Sequence, residues 1–128
     1  MTIILCPCGS TLALDACCGR WHAGAPAPTP EALMRSRYAA FVLLDEPYLL
    51  RTWHVDTRPS SVSFEPGLKW LGLKIVSAPP IDADRGEVEF IARYRVGGGS
   101  AGRLHERSRF VREQGAWFYL DGAPPGPS

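Results

Sequence analysis

Four cysteines, the full complement of this 128-residue chain, fall between positions 6 and 18. The spacing is Cys6-x-Cys8, eight residues, then Cys17-Cys18. No other feature limits the possible folds as much, because four thiols this close must be cross-linked, metal-bound or kept apart. Adjacent Cys17 and Cys18 cannot easily pair with each other. No apolar run approaches the roughly 20 residues needed to span a bilayer. The start, Met1-Thr2-Ile3-Ile4-Leu5, has no basic segment and is too short for a secretory signal. The sequence therefore predicts a cytoplasmic protein, where thiols stay reduced and a cysteine cluster suggests metal. Zinc takes four such donors in a tetrahedron. The expectation is one structural zinc ion on Cys6, Cys8, Cys17 and Cys18. Cys8-Gly9-Ser10 supplies a tight turn whose amides can donate to thiolate sulfur, and Leu12 and Leu14 can cover the site. His22 is a rival fourth ligand.

The rest of the chain divides by composition. Residues 1–22 form the knuckle. Residues 23–29 are a Pro-rich linker expected to carry few contacts, since prolines deny both helix and ladder. Residues 30–122 hold the helical and strand periodicity and are expected to fold without the knuckle. Residues 123–128 are a Pro/Gly-rich tail, expected to be disordered. Thr29-Pro30-Glu31 is a helix start. Leu33, Met34, Arg37, Tyr38, Phe41 and Leu44 then share a face over 30–44. Asp45 caps a second helix holding Tyr48, Leu49 and Trp53. Asp56 to Gly67 reads as loop. Period-two patterns follow: Leu71, Leu73 and Ile75; then Val88, Phe90, Ala92, Tyr94 and Val96; then Leu104, Glu106, Ser108 and Phe110; then Trp117 to Leu120. Gln114-Gly115 is a tight turn. Helices followed by strands predict an α+β domain. Two to three helices pack on a curved antiparallel sheet of about four strands. The hydrophobic fraction of 45% suffices for a core, and the net charge of +1 gives no general attraction to nucleic acid or an anionic membrane.

The segment Cys6-Pro7-Cys8-Gly9-Ser10 … Cys17-Cys18-Gly19 resembles the SEC-C motif, the zinc-binding tail of the SecA translocation motor. The stretches Pro30-Glu31-Ala32-Leu33-Met34-Arg35-Ser36-Arg37-Tyr38-Ala39-Ala40-Phe41 and Thr52-Trp53-His54 resemble the YchJ family. So do Leu104-His105-Glu106-Arg107-Ser108-Arg109-Phe110-Val111 and Trp117-Phe118-Tyr119-Leu120-Asp121-Gly122. The resemblance implies a SEC-C knuckle followed by a nuclear-transport-factor-2-like cone of helices and curved sheet. It implies no established activity. Some relatives carry a second knuckle near the C-terminus; this chain has no cysteine after Cys18.

Charged residues on apolar faces point to an interior site. Glu106 alternates with Leu104 and Phe110, and Arg37 repeats with Leu33 and Phe41. A bare buried carboxylate is costly. Glu106 and Arg37 are therefore expected to form an ion pair, either closing the helix layer onto the sheet or lining a cavity with Tyr38, Trp53 and His54. His54 has the intrinsic pKa of a general base, or it simply completes a helix end. Arg93, Arg95, Arg107 and Arg109 cluster with His105 on the other sheet face. That face is either a surface for an anionic partner or a solvated face interleaved with Glu87, Glu89 and Glu113. No phosphate loop, Ser-His-Asp order or paired-carboxylate motif is present. The sequence thus points to a non-enzymatic zinc-binding adaptor whose knuckle meets a protein partner such as a chaperone, ribosome-associated or translocation machinery. The alternative is a small-molecule-binding or hydrolase-like cone around Arg37, Trp53, His54 and Glu106. An open cavity with two convergent polar side chains distinguishes the second.

Overall fold

The computed structural model describes residues 4–124. An N-terminal hairpin, closed by a bridge between Leu5 and Ala13, leads through a 3-10 turn, Leu14–Ala16, into helix α1, Cys18–His22. Helix α2 spans Pro30–Leu43 and α3 spans Glu46–Arg51. Five strands follow: β1 Leu68–Ser77, β2 Pro80–Asp82, β3 Arg85–Val96, β4 Ala101–Glu113 and β5 Ala116–Ala123. They form one antiparallel sheet in the order β1-β3-β4-β5, with short β2 paired to the start of β3. This is the expected α+β architecture. Of the predicted tail, residue 123 closes β5, and 125–128 lie outside the described residues.

Local chemistry accounts for the helix ends. Thr29 Oγ1 accepts from the Ala32 amide at 3.1 Å, and Pro30 occupies the first turn. Leu44 stops α2 by turning left-handed, with φ 58°. Asp45 then caps α3 through the Tyr48 amide at 3.2 Å. Trp53, which the sequence placed in that helix, lies beyond its end. It forms a parallel bridge to Tyr119, with Tyr119 N donating to Thr52 O and His54 N donating to Tyr119 O, both at 2.8 Å. The chain after α3 is thereby pinned to β5. Glu46 accepts from the Val62 amide at 2.7 Å, which ties down the loop beyond. The β4–β5 hairpin turns at Gln114 and Gly115, both with positive φ, as the tight turn requires.

The inner sheet face carries Val88, Phe90 and Ala92 of β3 with Ser108 and Phe110 of β4. It packs beneath Leu33, Met34 and Tyr38 of α2. In β1 the expected alternation fails at one point. A register shift between Trp70 and Gly72 turns Trp70 inward with Leu73 and Ile75, so Leu71 does not share their face. Trp70 then meets Tyr38, Phe41 and Tyr94 edge to face.

The knuckle is not a module on a free tether. Its four cysteines join the same core as Leu33, Met34 and Phe110, and Ala27 in the Pro-rich segment is buried there too. Arg35 donates to Cys8 O at 3.1 Å, and His22 Nε2 bonds Ser36 O at 2.9 Å. Arg51 of α3 reaches the carbonyl of His22. No helix among the described residues is long and apolar enough to cross a membrane.

Candidate metal centre and interior cavity

The four cysteine sulfurs lie within 4.8 Å of one another, and all four residues are buried. Cys8 Sγ is 3.7 Å from Cys17 Sγ, and Cys17 Sγ is 4.0 Å from Cys18 Sγ. Both distances are far too long for a disulfide. They match the edge of a tetrahedron around zinc, which is about 3.8 Å for metal–sulfur bonds of about 2.3 Å. The surroundings suit thiolates. The Cys8 and Cys18 amides face Cys6 sulfur, and the Ser10 amide faces Cys8 sulfur. Ser10 Oγ donates to Cys17 Sγ at 3.1 Å. Hydrogen bonds of this kind orient and tune metal ligands. The hydrogen bond with Cys18, above all, draws the Cys8 thiol down to about 4. The reciprocal effect of Cys8, together with burial, pushes Cys18 up. A group of four sulfurs with one readily ionised member could hold a metal ion. His22 does not join it; its ring binds the Ser36 carbonyl and stands edge-on to Tyr48 at 4.6 Å.

The second candidate site is a cavity of about 240 Å³ between α2 and the sheet. Four of the five residues proposed from the sequence line it: Arg37, Tyr38, Trp53 and Glu106. The fifth, His54, does not. It is buried on the far side of the Trp53–Tyr119 bridge, where Nε2 meets Glu113 Oε2 at 2.9 Å and Nδ1 accepts from the Asp56 amide at 3.1 Å. Those two bonds occupy both ring nitrogens, so the candidate base is engaged elsewhere. Leu104, 39% exposed, stands where the cavity meets solvent.

The expected ion pair between Glu106 and Arg37 is absent, although both side chains face the cavity as the periodicity required. Arg37 Nη1 donates instead to Leu49 O at 2.8 Å and Thr52 Oγ1 at 2.7 Å, at the end of α3. Those acceptors sit where a helix leaves carbonyls unsatisfied. The guanidinium also lies over Tyr119, 4.5 Å from the ring centre, and over Trp53 at 5.0 Å. Glu106 packs on Gly122 of β5, where an added Cβ would come within 2.8 Å of its carboxyl carbon. Burial raises the Glu106 carboxyl above the usual range, and no cation offsets it. Tyr119 feels both charges: burial pushes it up to about 12, Glu106 adds to that and Arg37 opposes it. Sequence periodicity did not single out Trp70, Phe90 or Tyr119 as lining residues. All three are aromatic and on inward strand faces, which reads as ordinary core.

The basic outer face divides. Glu89 holds His105 at 2.7 Å and Arg107 at 3.2 Å, and Asp121 holds Arg109. Arg93 and Arg95 have no carboxylate within ion-pair distance among the described residues. Lys69 stands opposite Arg95. The expected four-arginine cluster is therefore half neutralised by cross-strand pairing.

Comparison with known proteins agrees with this architecture. Residues 29–122 match the family described as "YchJ, middle NTF2-like domain". A UPF0225 protein of a Polaromonas species is 53% identical over 126 residues, covering 91% of each chain. A UPF0225 protein of Xanthomonas campestris is 52% identical over 118 residues, covering 91% of this chain and 92% of its own. A SEC-C motif containing protein from Rhodopseudomonas palustris, solved in solution, superposes with a TM-score of 0.85 at 37% identity. It covers 94% of this chain and 98% of its own. The crystal structure of a SEC-C motif containing protein from Psychrobacter arcticus gives 0.77 at 27% identity, covering 96% of this chain and 84% of its own. With a family model matching residues 29–122 and relatives more than half identical over nine-tenths of its length, the chain belongs to the YchJ family.

Proposed function

We propose that this protein binds a small molecule in the cavity between α2 and the sheet. A structural zinc ion on Cys6, Cys8, Cys17 and Cys18 would hold the N-terminal segment against that domain. The supporting observation is an open cavity faced by Arg37 and Glu106, neither of which satisfies the other. An apolar cavity of about 150 Å³ already admits benzene, so a larger fused-ring body fits here. The test uses a neutral fragment, naphthalene, followed by the indole N–H signal of Trp53. Binding should shift that signal and be lost in Ala92→Leu, which fills the cavity from β3 while leaving the thermal transition cooperative. An unshifted signal, or equal binding by the filled variant, would reject the site.

A second reading, a cytoplasmic adaptor for a protein partner, is favoured by a different observation. Ile4, Leu5 and Leu12 are all exposed on the hairpin that carries Cys6 and Cys8. Three large apolar side chains on so small a hairpin suit a docking patch. The resemblance of this hairpin to the SEC-C motif makes translocation, ribosome-associated or chaperone machinery the first partners to try. The variant Leu5→Asp/Leu12→Asp should lose a bound protein that wild type recovers at matched zinc content. Recovery of the same proteins by both would remove this reading.

A further inference from the structure

Arg37 is 3% exposed, and no carboxylate lies within ion-pair distance of it among the described residues. Burial lowers it, but only to about 10, so it remains a cation at neutral pH. An unpaired buried charge is expensive, and a protein keeps one where something else completes it. Its hydrogen bonding is one-sided. Only Nη1 is used, by Leu49 O and Thr52 Oγ1. The Nε and Nη2 donors have no acceptor among the described residues, yet neither is a fully enclosed orphan. They therefore face accessible space, and Arg37 lines the cavity. The Nε–Nη2 edge of a guanidinium is one that receives a carboxylate through two parallel hydrogen bonds.

The rest of the lining fits an apolar body. Trp53 Nε1 is fully enclosed without an acceptor and offers the ligand no donor. The remaining lining is mostly aromatic or aliphatic: Met34, Phe41, Trp70, Phe90 and Ala92. Glu106 is the opposing consideration, since an ionised carboxylate would repel an anion. It is the weaker charge. It is half-buried at the sheet, its carboxyl is raised by burial, and neutral it becomes a donor. The fixed, deepest charge in the cavity is positive.

We infer that the cavity selects a small, flat, apolar carboxylate, with the Nε–Nη2 edge of Arg37 as its counter-ion. This rests on the cavity being a binding site, and the test separates the two. The wild-type protein is titrated with 2-naphthoate, 2-naphthamide and 2-naphthylmethylammonium, which share a body and differ in charge. Naphthoate should bind about tenfold more tightly than the amide, the value of one charge-assisted pair, and the ammonium most weakly. Equal binding of acid and amide, or preference for the ammonium, overturns the anion assignment while leaving a binding cavity. Failure of all three to bind overturns both. Glu106→Gln, which keeps the shape and removes the competing charge, should bind naphthoate at least as tightly as wild type. Loss of naphthoate binding in that variant, with the fold intact, would mean that Glu106 and not Arg37 holds the ligand.

Discussion

With zinc on the four cysteines as proposed, chelation, or replacement of Cys17 and Cys18 with serine, is expected to melt the whole domain rather than residues 4–22 alone. The linker composition had suggested a detachable knuckle. The structure instead runs Cys6, Cys8, Cys17 and Cys18 into one core with Leu33, Met34 and Phe110. Structural zinc contributes on the order of 10 kcal/mol in small sites. A domain of this size is stable by only about 5–15 kcal/mol. Losing the metal would leave four buried thiols without a partner and free α1 from α2. Leu33, Met34 and Ala27 would then be uncovered together. Circular dichroism should show a large fall in Tm with chelator, and hydrogen exchange should show α2 losing protection along with the hairpin. A truncated chain starting at residue 28 should likewise lack a sharp transition. An unchanged Tm, with strand amides protected as before, would show that the cysteine group is a passenger on an independent cone.

Why the sequence suggested otherwise is instructive. Helix α2 was legible because its start, Thr29-Pro30-Glu31, and its three- and four-residue spacing point the same way. The strands were legible because one face is apolar and the turns are marked by glycine. Short β2 and the bulge at Trp70 were not, since a bulge inverts facing without changing composition. The docking of the knuckle was hidden for another reason. Much of it is made by backbone groups and small residues: Cys8 O with Arg35, Ser36 O with His22, and buried Ala27. None of these carries a periodic signal. Of the site, the four sulfurs and the direction of Arg37, Tyr38 and Glu106 could be read from spacing. His54 could not, because its place depends on how Trp53 and Tyr119 bridge after α3 ends.

Arg37 and Glu106 are expected to differ sharply under substitution, contrary to what a buried pair would show. Periodicity gives the direction of a side chain but not its reach. Both side chains enter the same cavity, yet Arg37 is caught by the end of α3 and by the faces of Trp53 and Tyr119. Hydrogen bonds to a charged group are worth about 1.5–3 kcal/mol each. Arg37→Ala should therefore cost about 3 kcal/mol or more, as Leu49 O and Thr52 lose their donor and the cavity grows. Glu106 makes no such bond, and its folded carboxyl is raised above the unfolded value of 4.5 by burial. The sign follows. A raised carboxyl adds stability below the unfolded pKa, and that contribution is lost as pH rises through the folded one. At neutral pH its charge is a burden. Glu106→Gln should thus leave Tm unchanged or raise it at neutral pH, with the advantage vanishing in acid. In a double-mutant cycle of Arg37→Ala with Glu106→Gln, the coupling should stay under about 1 kcal/mol, the low end for groups that share a cavity without touching. A coupling of about 3 kcal/mol, or a Glu106→Gln variant markedly less stable than wild type at neutral pH, would restore the ion pair that spacing alone suggested. It would also remove the unpaired cation on which the anion assignment depends.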